Sequence, residues 1–284
     1  MKIIKGQVFD EERALYNLQD TVVEDCTFAG EADGESVLKE ARNIELHNCK
    51  FALRYPVWHV QKYLLKDTAF GNNTRAPIWY SNDGVIDGCK FEDVKALREC
   101  NNTVIKNSNI YSTEFGWKCD GVDVSDTKLV SEYVFFDSKN IKLSNVNFQG
   151  KYSFQYVENL EIENCYLDTK DAFWHSKNIT VKDSTVKGEY LAWFSENLTL
   201  INCKISGTQP LCYCKNLKLI NCTMDDTDLS FEYSEVEADI KGYVESIKNP
   251  KSGKITVDEL GELILEDSIM ESSAEVVVFG ERVL

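Results

Sequence analysis

No run of 18 consecutive apolar residues occurs in these 284 residues, so the sequence offers no membrane-spanning helix. The opening stretch, MKIIKGQVFDEERAL, has no apolar core followed by a small-residue cleavage site, which argues against a secretory signal peptide. Positive charge is in the minority: 31 Lys and Arg stand against 47 Asp and Glu, a formal net charge of −16. Such a surface repels phosphate backbones and anionic lipids, so neither nucleic acid nor a membrane is expected as a partner. Only three histidines are present, His47, His59 and His175. The G-x-S-x-G, H-E-x-x-H, phosphate-loop and dinucleotide signatures are all missing. The ten cysteines form no C-x₂-C pair at zinc spacing, and the lone Cys212-Tyr213-Cys214 is a weak metal signal. Without an export signal they read as reduced thiols in a cytoplasm. Neither a cofactor nor a metal is expected.

What the chain does contain is a repeat. NIELHNCKF (43–51), NIKLSNVNF (140–148), NLEIENCYL (159–167), NITVKDSTV (178–186), NLTLINCKI (197–205) and NLKLINCTM (216–224) align without gaps. A column of mostly small residues runs through Cys26, Cys49, Thr68, Cys89, Ser108, Thr127, Val146, Cys165, Ser184, Cys203 and Cys222, and its last seven steps are all 19 residues. Each unit alternates apolar and polar residues at period two, which indicates strands. Three short strands in 19 residues leave no room for a ten-residue helix. Each unit is therefore one coil, stacked on the next at about 4.8 Å. The expected fold is all-β: a single-stranded right-handed parallel β-helix of about 11–12 coils, residues 1–284 forming one domain.

Two polar columns support the coil. One runs Asn43, Asp83, Asn102, Gly121, Asn140, Asn159, Asn178, Asn197, Asn216, residues suited to φ > 0 at a bend. The other precedes the small column and includes Asp25, Asn48, Asp67, Asn107, Asp183, Asn202 and Asn221, which suit hydrogen bonding to the turn and stacking on their own copies. The leucine-rich repeat is the rival, since LTLINCKI (198–205) fits its strand, but its second L-x-x-L half is missing. Residues 1–20 are expected as an N-terminal cap, with a short helix over 11–18 started by Asp10. Residues 21–235 hold the regular coils, and 236–284 an irregular coil and cap, with a turn-rich excursion at 246–255.

Several stretches exceed what the repeat demands: GESVLKEARN (34–43), YPVWH (55–59), RAPIWYS (75–81), TKDAFWHSKN (169–178), GEYLAWFSENLTLINCKISGTQPLCYCKNL (188–217), FEYS (231–234) and SIKNPKSGKI (246–255). Through them nearly the whole chain resembles an uncharacterised bacterial family of cytoplasmic right-handed β-helices, grouped by fold with pectin-lyase-like proteins. The resemblance implies the fold. It implies no activity and no catalytic residues.

All five tryptophans fall in one column: Trp58, Trp79, Trp117, Trp174 and Trp193, with Arg98, Phe136, Gln155, Cys212 and Phe231 at the other positions. The column before it reads Val57, Ile78, Leu97, Gly116, Phe135, Phe154, Phe173, Ala192, Leu211, Ser230. In an extended strand neighbours face opposite ways. Parity with the small residues one before and three after the second column places the tryptophans inside, with Arg98 and Gln155 as awkward occupants. It leaves outward a patch of Tyr152, Tyr156, Lys170, Asp171, Phe173, His175, Glu189, Tyr190, Gln209 and Tyr213, with Phe194 and Leu211 beside them. Flat rings beside acids, amides and a histidine suit a saccharide or another small polar ligand.

Catalysis is not decided by the residues. Glycoside hydrolysis needs two carboxyls about 5–5.5 Å or 6.5–9.5 Å apart. On the outer columns Asp171 is followed by Tyr190 and Gln209 before Asp228, so no acid follows another one coil on. Neither the clustered Asp nor the cationic base of a pectate-lyase-type reaction is evident. The expectation is a non-catalytic binding module; the alternatives are a carbohydrate-active enzyme, lyase or hydrolase, and a protein-interaction scaffold.

Overall fold

The computed structural model describes residues 1–30, 34–92 and 95–284. Among these no helix occurs; every regular element is a strand. The chain divides into two compact units, Met1–Lys142 and Leu143–Leu284. Each is a parallel β-solenoid, and the turns number about 14, the surplus over the sequence count coming from the two ends.

In the first unit the main wall is a stack of six-residue strands, Gln19–Glu24, Arg42–His47, Gln61–Lys66, Asn82–Asp87, Asn101–Lys106 and Asp120–Ser125. They pair in parallel with Thr21, Ile44, Tyr63, Gly84, Thr103 and Val122 in one register. Val23, Leu46, Leu65, Ile86, Ile105 and Val124 point inward, as period two demands. After the bend a second short strand begins, and inside it Phe9, Phe28, Phe51, Phe70 and Phe91 stack ring on ring, with centroids 5.1, 4.5, 5.0 and 4.6 Å apart. The second unit repeats the design with Glu158–Glu163, Lys177–Lys182 and Glu196–Ile201 in register at Leu160, Ile179 and Leu198.

The bends explain both polar columns. Asp25, Asn48, Asp67, Asn107, Asp183, Asn202 and Asn221 all have φ near +50°, as do Asn43, Asp83, Asn102, Asn178, Asn197 and Asn216. Side-chain amides link successive copies: Asn202 Nδ2 donates to Asp183 Oδ1 at 2.8 Å, Asn221 to Asn202 at 2.9 Å, and Asn216 to Asn197 at 2.8 Å. The small column is buried because its hydroxyls and thiols serve bend amides and carbonyls. Ser184 Oγ accepts from the Cys165 amide at 3.0 Å, and Cys89 Sγ donates to the Leu65 carbonyl at 3.4 Å. All ten cysteines are buried and unpaired. Burial pushes the Cys49 thiol up to about 11 and that of Cys89 to about 12. Because all ten side chains are buried from solvent, a thiol reagent at pH 8 is expected to spare the native protein and to titrate ten thiols in denaturant without reductant; eight in denaturant would reveal a disulfide.

The ends differ from the sequence expectation. Lys2–Lys5 pairs in parallel with Thr21–Glu24, so residues 2–20 make a full coil. Residues 11–17 are turns, not helix. Arg13, Leu15 and Asn17 donate to the carbonyls of Glu35, Val37 and Lys39, and this pairing with the next coil outcompetes a helix too short to sustain itself. At the far end Glu235–Lys248 pairs along its length with Ser252–Ile264, so residues 246–255 hold strand ends and a tight turn rather than an excursion. Ser273–Val278 follows, closed by an antiparallel pairing with Glu281–Arg282.

Candidate functional site

The tryptophan column belongs to the side of the coil that parity misread. Tyr152, Phe154 and Tyr156 have φ of 46°, 57° and 59°; Asp171, Phe173 and His175 repeat this, as do Tyr190, Ala192 and Phe194, then Gln209, Leu211 and Tyr213. Every second residue is left-handed, so the segment is not an extended strand and neighbours need not face opposite ways. Coil-to-coil hydrogen bonds hold it, including His175 N to the Trp193 carbonyl and Phe173 N to the Ser153 carbonyl.

In consequence Phe154, Phe173, Ala192 and Leu211 are fully buried, and the tryptophans lie half-buried at the surface. Phe173 and Leu211, expected outside, are core residues. Trp174 and Trp193 stack face to face at 5.4 Å and 2°. Their indole N–H groups donate to the Tyr190 and Gln209 carbonyls at 2.7 and 2.8 Å, and the Gln155 amide donates to the Asp171 carbonyl at 2.9 Å. Gln155 is thus no misfit; it makes the tryptophan bond without the ring. The first unit uses the same device: Trp58 and Trp79 stack at 5.3 Å, and the Arg98 guanidinium lies 5.0 Å from the Trp79 ring and 5.4 Å from the Trp117 ring.

Beside the tryptophans of the second unit stands an exposed ring ladder. Tyr156, His175, Phe194 and Tyr213 stack with centroids 5.2, 4.9 and 4.7 Å apart and within 11° of parallel. Tyr156 is 50% exposed and Phe194 42%. Tyr233 continues the ladder at 5.8 Å with a 41° tilt. It escaped the fixed 19-residue count because residues 224–228 carry one extra residue. The cue was FEYS (231–234) set under AWFS (192–195), which returns Tyr233 to the column and puts Phe231 in the core.

The other expected site residues flank this ladder across the tryptophans. Tyr152, Lys170, Tyr190 and Gln209 are half-exposed, Glu189 is exposed, and Asp171 retains 7% exposure. Lys170 Nζ lies 2.9 Å from Glu189 Oε2 and 5.4 Å from the Tyr190 ring centroid. Tyr190 meets Trp193 edge-on at 5.5 Å.

This packing decides what the face offers. Ladder rings cover each other's faces, so a ligand meets ring edges. Edges carry the positive part of the ring quadrupole, and here they are joined by tyrosine hydroxyls and imidazole nitrogens. Such a strip favours oxygen-rich groups. Burial raises the Asp171 carboxyl above the ordinary range, a trend that Lys170 opposes and Glu189 reinforces. Burial and Glu232 also raise the Tyr213 phenol. A raised folded-state value means Asp171 holds its proton more tightly folded than unfolded. Its contribution to stability then falls as pH rises from about 4 through the raised value. Asp171→Asn is accordingly expected to melt higher than the parent at pH 7 and to match it at pH 3.5; equal melting at both would contradict the burial argument.

No curated protein matches the chain in sequence. Among solved structures, the surface adhesin PfbA of Streptococcus pneumoniae is 8% identical with a TM-score of 0.39, over 97% of this chain and 80% of that one. The A-module of a mannuronan C-5 epimerase from Azotobacter vinelandii is also 8% identical, with a TM-score of 0.31 over 97% and 88%. The catalytic domain of a GH87 α-1,3-glucanase is 10% identical, with a TM-score of 0.35 over 96% and 63%. A family model matches residues 2–278, and the chain belongs to that family, described as a protein of unknown function (DUF3737).

Proposed function

We propose that the protein is a non-catalytic binding module that takes a saccharide, or a similar oxygen-rich polar ligand, along the Tyr156–His175–Phe194–Tyr213 ladder. The observation that carries this reading is the exposed, continuous stack of ring edges at one ring per coil. A linear ligand with a repeat near the coil spacing of about 4.8 Å would meet equivalent groups at each step. Tyr190, Gln209 and the Lys170–Glu189 pair form the far rim. In this reading the coils are right-handed and pectin-lyase-like, and the family is bacterial. Ten unpaired buried thiols support a reducing, cytoplasmic setting, and the charge of −16 argues against nucleic-acid or membrane partners.

An array of linear neutral and acidic oligosaccharides tests the proposal. A bound glycan that is not turned over is expected. Tyr190→Ala and Tyr213→Ala should each weaken it by about 1–2 kcal/mol with the β spectrum unchanged. Unchanged affinity in both variants would place the site elsewhere. A second reading, a carbohydrate-active enzyme, rests on Asp171, a buried carboxyl with a raised proton affinity at the edge of the same face. Turnover of the bound glycan that Asp171→Asn abolishes would establish it in place of the first.

A further inference from the structure

On the first unit, the column two residues before the buried one reads Tyr55, Ala76, Lys95, Glu114, Tyr133. Four of these positions carry long side chains; Ala76 does not. Because copies of a column stack coil on coil, the missing side chain leaves a notch one rung high. Its backbone walls at Tyr55 and Lys95 are two coil spacings apart, about 9.6 Å. A flat ring sandwiched between two surfaces needs about 7–8 Å, so the notch admits one rung-like ring. The structure shows this space as a cleft of about 270 Å³ lined by Tyr55, Arg75, Ala76, Trp79 and Lys95.

Two cations, Arg75 and Lys95, stand on its wall. Arg75 is exposed, and among the described residues its side chain makes no hydrogen bond or ion pair. Lys95 holds Glu114, one coil further on, at 3.2 Å. The Arg54 guanidinium lies 5.6 Å from the Tyr55 ring centroid, and that of Arg98 lies 5.0 Å from Trp79. Arg54 is paired with Glu35 at 2.7 Å and Arg98 with Glu99 at 3.8 Å, so of the cations near the cleft Arg75 alone stands on its wall without an acidic partner among the described residues. The Trp79 N–H is occupied by the Lys95 carbonyl at 2.8 Å, so the flat aromatic part of the wall offers no N–H to a ligand and the charged donors are confined to the Arg75 and Lys95 cations. A sugar ring would leave its hydroxyls unpaired there, at a cost for each. An aromatic ring would not, and an attached carboxylate would find Arg75 and Lys95.

We propose that this notch is a second binding site, separate from the ladder, and that it takes a small aromatic carboxylate as the missing rung of the column. Titration calorimetry with benzoate, benzamide and glucuronate on the full chain tests it. Benzoate should bind at least about tenfold more tightly than the neutral amide or the non-aromatic acid. Arg75→Gln should weaken benzoate about tenfold, and Ala76→Leu, which fills the notch, should abolish its binding with an unchanged circular dichroism spectrum. No heat from millimolar benzoate, equal affinity for benzamide, preference for glucuronate, or full affinity in Arg75→Gln would each overturn the proposal. Should Ala76→Leu fail to fold, the Arg75→Gln titration alone decides.

Discussion

Gly207→Ala is expected to destabilise the protein by about 3–5 kcal/mol, the sum of a left-handed-side backbone penalty and an overpacking term. Gly207 has φ of +123°, and a methyl group there would overlap the carbonyl oxygen of Gly188, the glycine in the equivalent place one coil earlier. The clash is with backbone, which no side-chain rotation relieves. Gly242 supplies the control. Its φ is +80°, but nothing lies within 4 Å of a built methyl group. Gly242→Ala should lose only about 1–2 kcal/mol. Urea denaturation of the two variants separates close backbone approach from conformational preference; equal midpoints would show that the coils are not packed as described at residues 188 and 207.

Phe51→Ala is the second large effect, with an expected loss of about 3–5 kcal/mol. Phe51 sits in the middle of the interior phenylalanine stack, 4.5 Å from Phe28 and 5.0 Å from Phe70, and is almost fully buried. Its removal opens a cavity that the coils on either side cannot close, because their strands are pinned in register at Lys50–Phe51. Phe51→Leu keeps most of the volume and should cost less than about 1.5 kcal/mol if volume governs. A leucine variant as unstable as the alanine variant would instead assign the loss to ring stacking, which is ordinarily worth about 0.5–1.5 kcal/mol per pair.

The strands and bends were legible because they follow rules carried by residue type. Leu200 and Leu219 face inward by period two, and Asn202 and Asn221 announce φ > 0 at the bend. The remaining side of the coil was not legible, for a physical reason. Its left-handed positions are held by Tyr190, Phe194, Leu211 and Tyr213, whose side chains give no sign of that conformation. Inter-coil hydrogen bonds impose it, and they are invisible in a single coil. Parity therefore reversed Phe173 and Trp174 while still finding Tyr156, His175 and Tyr213 on the outside. Residues 11–17 misled for the same reason, since a local apolar pattern read as helix yields to partners in the next coil. Tyr233 was lost to one inserted residue, which a fixed period cannot absorb.

The choice between the ring ladder and the tryptophans as the ligand surface has a direct test. The protein is titrated with the best-bound glycan of the array, and ring and indole signals are followed by nuclear magnetic resonance. The His175 and Tyr213 ring protons are expected to shift with saturation. The Trp174 and Trp193 indole N–H signals are expected to stay in place, because each is already bonded to a backbone carbonyl at 2.7 and 2.8 Å. Saturable shifts of those indoles with the ladder rings unmoved would contradict the assignment and place the site on the tryptophan column instead.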